Sequence, residues 1–106
     1  MFVAETDAEA MQAGEAAYQV WSEHLTHLTR KHGKPDLLNV NPQSPAAVTR
    51  LVAGSPKTVT RELQAIVRES GINYLLLVFS FGNIAPERAM RSMDLFVAQV
   101  MPALRA

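Results

Sequence analysis

Apolar residues recur at helical spacing in three stretches of this chain, and a fourth stretch is apolar without a break. Ala17, Tyr18, Trp21, Leu25 and Leu28 lie on one helical face. Ahead of them, Thr6-Asp7-Ala8-Glu9 has the form of a capping box, in which Thr6 accepts from the Glu9 backbone and Glu9 reaches back. Gly14 weakens the first half of this helix by about 1 kcal/mol relative to alanine. Arg30, Lys31 and His32 put positive charge on its last turn, and Gly33 follows as the residue that ends it. A second helix begins at Ser55-Pro56, with Ser55 as N-cap and Pro56 at the first helical position. Val59, Leu63, Ile66 and Val67 form its apolar stripe, and Gly71 closes it. Pro86 opens a third helix, whose core side is expected to carry Met90, Met93, Val97, Val100 and Leu104. Pro102 distorts or ends that helix. Between the second and third helices lies Tyr74–Phe81, followed by a Gly82-Asn83 turn. Its unbroken apolar character predicts a strand buried on both faces, as in a parallel sheet covered by helices. Phe2-Val3-Ala4 is a shorter strand stub.

These elements predict one α/β domain over 1–106. It consists of a strand stub plus helix over 1–33, an irregular excursion over 34–54 and a helix-strand-helix unit over 55–106. The excursion holds prolines at 35, 42 and 45, and its Ala46-Ala47-Val48 and Leu51-Val52 allow a short helix. The chain has 106 residues and a formal net charge of +0, with its Lys and Arg scattered. A nucleic-acid binder would present a basic stripe, so no nucleic-acid partner is expected. There are no cysteines, which excludes disulfides and thiolate metal sites. The longest apolar run, Tyr74 to Phe79, is too short to span a bilayer. Glu5, Asp7 and Glu9 stand where a secretory signal would be positive, so a cytosolic location is expected.

Few residues suggest chemistry on spacing alone. His24 and His27, at i and i+3, can place two imidazoles on a metal, but a third ligand at good spacing is missing. A partly exposed helix face is the favoured explanation, and no metal site is assigned. Glu87 and Asp94 read as helix-surface charges. No nucleophile–histidine–acid arrangement is readable, so no catalytic residue is assigned.

Four stretches resemble the C-terminal end of the bacterial luciferase-like family of flavin-dependent monooxygenases, in family order. F-V-A-E-T-D-A-E-A (Phe2 to Ala10) resembles the penultimate barrel strand running into its helix. G-S-P-K-T-V (Gly54 to Val59) resembles the family's G-[ST]-P-E-x-V helix start, with Lys57 where an acidic residue is usual. G-I-N-Y-L-L-L-V-F-S-F-G (Gly71 to Gly82) resembles the last strand, and S-M-D-L-F-V-A-Q-V-M-P-A-L (Ser92 to Leu104) the last helix. A whole TIM (β/α)8 barrel needs roughly 250 residues. The resemblance therefore implies a C-terminal fragment of such a barrel: its last two βα units, with two short parallel strands and about three helices. Met1 stands directly before the strand residues, as though a start had been placed inside the barrel.

The resemblance implies reduced FMN as the parent family's cofactor, with a deazaflavin in some relatives. Dioxygen and a small organic substrate such as an aldehyde complete the reaction. The family's flavin-phosphate and catalytic residues come mostly from earlier strands. This chain alone is therefore expected to bind no flavin and to be inactive. In a barrel the C-terminal end of a strand faces the active site. If the odd-numbered face points inward there, Phe79, Phe81 and Gly82 would line a pocket for the flavin ring or an aliphatic substrate; packing into the core is the alternative. The Gly54-Ser55-Pro56 helix start would lie on the same face and offer backbone N–H groups to a phosphate, although ordinary capping explains it as well. Three helices are expected to leave sheet edges and one sheet face bare, which predicts a homo-oligomer. The alternative to a barrel fragment is an autonomous small α/β protein that self-assembles or binds a partner without catalysis.

Overall fold

Thr6 and Ser55 start the two long helices as their sequences predict. In the computed structural model, which describes residues 1–33 and 51–105, the Thr6 hydroxyl accepts from the Glu9 N–H at 3.2 Å. Helix α1 (Asp7–Lys31) follows it, and Gly33, at φ +70°, donates to the Arg30 carbonyl at its end. Ser55 caps α2 (Pro56–Ser70), which ends on Gly71 at φ +71°. Strand β1 (Phe2–Val3) pairs in parallel with β2 (Ala53–Gly54), Phe2 opposite Ala53 and Val3 opposite Gly54. β2 falls inside the expected irregular excursion, whose residues 34–50 lie outside the described residues. The C-terminal helix comprises α3 (Pro86–Leu95), a π-helical turn (Phe96–Val100) and α4 (Met101–Arg105). The molecule is thus mixed α/β and mostly helical, with two short parallel strands among the described residues.

Both faces of the strand pair are covered. Phe2, Leu51 and Ala53 pack with Ala10 and Tyr18 of α1. Val3 packs on the other side with Val59 and Leu63 of α2 and with Leu95, Phe96 and Val100 of the C-terminal helix. Gly14 is what lets α1 come so close. A Cβ built there would lie 3.0 Å from the Ala53 Cβ, so its cost in helix propensity is offset by a close helix–strand approach.

The Tyr74–Phe81 expectation fails in an instructive way. The segment joins no ladder, and it is buried on neither face completely. Its odd residues, Leu75, Leu77, Phe79 and Phe81, are half-buried. Its even residues stand in solvent, with Tyr74 79%, Leu76 82% and Val78 58% exposed. The reason lies in how β1 is bordered. Phe2 and Ala4 donate toward β2, to Val52 at 3.0 Å and Gly54 at 3.2 Å. The alternate donors face the opposite edge. There Met1 N donates to the Val78 carbonyl at 2.7 Å, but Val3 N–H donates to the Ser92 hydroxyl at 2.8 Å. A helix side chain occupies the place where a third strand would continue.

The C-terminal helix also turns a different face inward from the one its large residues suggest. Ala89, Ser92, Leu95, Phe96 and Val100 are buried, whereas Met90, Met93 and Val97 are exposed. Small Ala89 and Ser92 permit close approach to β1, and the Ser92 hydroxyl is needed there. Pro102 distorts the helix without ending it. Met101 N–H reaches back five residues to the Phe96 carbonyl. That π turn absorbs the proline, which has no N–H to give and would clash in a regular turn.

Candidate functional site

Each residue proposed from sequence as pocket lining has a definite place. Phe79 packs edge-to-face on Phe96, ring centroids 5.4 Å apart, in the cluster shared with α2. Phe81 belongs to the other cluster, with Tyr18, Leu51 and Ala53. Gly82, at φ +59°, lies on the backbone of α1; a Cβ there would be 2.1 Å from the Ala17 carbonyl oxygen. The odd face of the segment therefore looks toward helices, and the three residues do not share one pocket. Phe81 lines a cavity of about 150 Å³ together with Met1, Tyr18, Trp21, Leu51 and Val78. Tyr18 and Trp21 form a tilted pair there, centroids 5.5 Å apart. The Tyr18 hydroxyl is buried and has no hydrogen-bond partner among the described residues. Burial of the Met1 amino group lowers its pKa to about 6.

The N-terminus of α2 is filled from within the chain. The Ser55 N–H donates to one Asp7 carboxylate oxygen at 2.7 Å, and the Thr58 hydroxyl donates to the other at 3.0 Å. The Ser55 hydroxyl itself accepts from Thr58 N–H at 3.5 Å. Hydrogen bonds from the Ser55 backbone, then from Thr58, hold the Asp7 carboxyl below its usual range. A carboxylate already bound at a helix start takes the part that an external phosphate would play. Gly54 makes room for it, since a Cβ there would lie 3.1 Å from Asp7 Oδ1 and 2.8 Å from Thr58 Cγ2. Sequence reading missed this role of Asp7, because 48 positions separate it from Ser55.

The aromatic-lined cavity does not fit a flavin. Pockets for drug-sized ligands run to roughly 300–1,000 Å³, and the aromatic-lined cavity is about 150 Å³. The phosphate-type helix start carries a carboxylate. Phe79, the expected ring contact, is engaged by Phe96. His24, His27 and His32 are all exposed. Among the described residues no group of three or more His, Cys, Asp or Glu side chains is placed to hold a metal. No helix among them is long and apolar enough to cross a membrane.

Two ion pairs lie on the surface beside β1. Arg91 pairs with Glu5, Arg88 with Glu9 at 3.9 Å, and the Arg88 guanidinium lies 5.4 Å from the Phe2 ring centroid. Exposed pairs of this kind are worth little singly, but together they stitch α3 to the start of α1. No family model, no curated protein and no solved structure matches this chain.

Proposed function

We propose that this chain is the C-terminal segment of an FMN-dependent luciferase-like monooxygenase barrel and is catalytically silent by itself. The sequence resemblance supplies the family. The observation that supports the reading is the order of parts: a parallel strand pair, each strand leading into a helix, then an extended apolar segment leading into a third. In this reading the exposed row of Tyr74, Leu76 and Val78 is the side that the missing barrel strands would cover. When flavin is bound in the complete barrel, it supplies the oxygen chemistry. This segment supplies wall and packing, and Phe79 and Phe81 support the strand from the helix side.

A second reading is favoured by a specific observation. The β1–β2 pair is covered on both faces, as in a self-sufficient layered α/β unit. A barrel wall would leave one face for inward-pointing side chains. In this reading the chain is an autonomous, non-catalytic protein that associates with another chain through its remaining bare surface.

Titration of FMN, followed by fluorescence quenching, separates the two. It is run on the chain alone and after mixing with a luciferase-like barrel lacking its last two βα units. The first reading predicts no saturable low-micromolar site on the chain alone, and one-to-one binding in the mixture. Absence of binding in both leaves the second reading. A saturable site on the chain alone overturns both.

A further inference from the structure

We infer that the free edge of Tyr74–Phe81 pairs with the same segment of a second copy, antiparallel, about a two-fold axis at Leu76. This deepens the second reading above and rests on it. The Val78 carbonyl points at Met1, so the backbone groups of the even residues face β1. Those of Leu75, Leu77 and Phe79 face away. No hydrogen bond among the described residues reaches them. A row of N–H and C=O groups at strand spacing is satisfied in full by another extended chain, the mode in which main-chain bonds carry affinity.

The segment's own sequence selects a second copy as that chain. No charged residue occurs from Gly71 to Pro86, so two copies meet without repulsion. Proline, lysine and other devices that guard natural edges are absent from Tyr74–Phe81. With Leu76 opposite Leu76, Tyr74 falls beside Val78 of the second copy, an aromatic–β-branched cross-strand pair. Moving the axis to Leu77 sets Tyr74 beside Ser80 and loses that pairing. In the chosen register Leu75 and Leu77 exchange hydrogen bonds across the axis, which matches the edge they face. The segment is roughly 26 Å long at ~3.3 Å per residue. A contact confined to this segment falls short of the ~800 Å² per partner of a standard interface, so a reversible dimer is expected. Its other edge is blocked by Met1 and by Ser92 on Val3, so assembly closes at two copies.

Sedimentation equilibrium from about 1 to 200 µM, with three variants, tests this. The expected result is a monomer–dimer equilibrium. Leu76→Lys should weaken it at least tenfold while far-UV circular dichroism stays unchanged, because Leu76 is 82% exposed in one copy. The chain has no cysteine, so Leu76→Cys introduces a sole thiol. Cα atoms of facing non-hydrogen-bonded residues lie about 4.5 Å apart, within disulfide range, so this variant should cross-link on mild oxidation. Tyr74→Cys should cross-link only when mixed with Val78→Cys. A species of one 11.6 kDa mass at every concentration overturns the inference. So does a dimer that survives Leu76→Lys and resists Leu76→Cys cross-linking. A monomer that instead binds an unrelated extended peptide overturns the second copy and leaves the partner-binding reading standing.

Discussion

Phe2–Val3 and Tyr74–Phe81 are both short, apolar and extended, yet the molecule treats them in opposite ways. The two-residue strand is closed on every side: β2 on one edge, Ser92 and the Val78 carbonyl on the other, α1 over one face and α2 with the C-terminal helix over the other. The eight-residue segment rests one row of side chains on the core and leaves the other row and most of its backbone without a partner among the described residues. Apolar character alone does not decide which stretch becomes the centre of a sheet. What decides is which stretch the helices pack on. Small residues at Gly14, Ala89 and Ser92 bring helices onto β1–β2, and among the described residues no helix covers Tyr74, Leu76 and Val78.

The sharpest break in this comparison is to place the same charge in each region. Val59→Asp or Leu63→Asp puts an unpaired carboxylate into the closed region, where those side chains are 0% and 1% exposed. A loss of about 3–5 kcal/mol is expected, enough to abolish a cooperative urea transition. Leu76→Asp should change stability by less than ~0.5 kcal/mol at dilute protein concentration. This reverses the expectation from sequence, in which Leu76 and Val78 were intolerant core positions. Equal effects at Leu63 and Leu76 would remove the distinction between the regions.

Next in size is the end of the exposed segment, which is pinned to α1. Gly82→Ala forces a side chain onto a backbone of φ +59° and onto the Ala17 carbonyl. The positive φ alone costs about 1–3 kcal/mol, and the overlap adds to it. A melting temperature equal to that of the parent would mean the segment is not held there.

Ser92→Ala probes the outer edge of β1. It leaves the Val3 N–H buried without an acceptor, a loss of about 1–3 kcal/mol, measurable by urea denaturation. Replacing Ser80 with alanine on the exposed row of the open segment should do almost nothing.

How far these features can be read in advance depends on the range of the interaction that sets them. The helix starts at Thr6 and Ser55 and the stops at Gly33 and Gly71 are local, made within four residues, and were legible. β2 was not: Ala53-Gly54 shows no alternation, and only its register with Phe2 and Val3 makes it a strand. The inward face of the C-terminal helix was misread at Met90, Met93 and Val97, which are larger than Ala89 and Ser92. Close packing and one hydrogen bond outweighed side-chain size. Tyr74–Phe81 was read as a strand buried on both faces, but nothing in an apolar run states what covers it. The pocket expected at Phe79, Phe81 and Gly82 depended on an odd face that points into a barrel; in this chain that face rests on helices, as the core-packing alternative had it.

The smallest expected effect is electrostatic and concerns the turn from β2 into α2. Asp7→Ala should lower the melting temperature at neutral pH by removing the acceptor for Ser55 N–H and Thr58. The folded carboxyl titrates below its usual 3.8, so its contribution is fully present above that value. It is lost as pH falls through the lowered pKa. Parent and variant should therefore converge in strong acid. A gap that stays constant with pH would mean the carboxylate charge has no part in holding β2 to α2.

Amide hydrogen exchange read residue by residue at two protein concentrations tests the contrast between the two regions most directly. Phe2, Val3 and Ala4 should be protected at both concentrations, because their donors are bonded within one copy. Leu75, Leu77 and Phe79 should exchange rapidly in dilute solution and slow only as concentration rises and edges pair. Strong protection of those three amides in dilute solution would mean that the segment already lies in a ladder within a single chain, which contradicts the account.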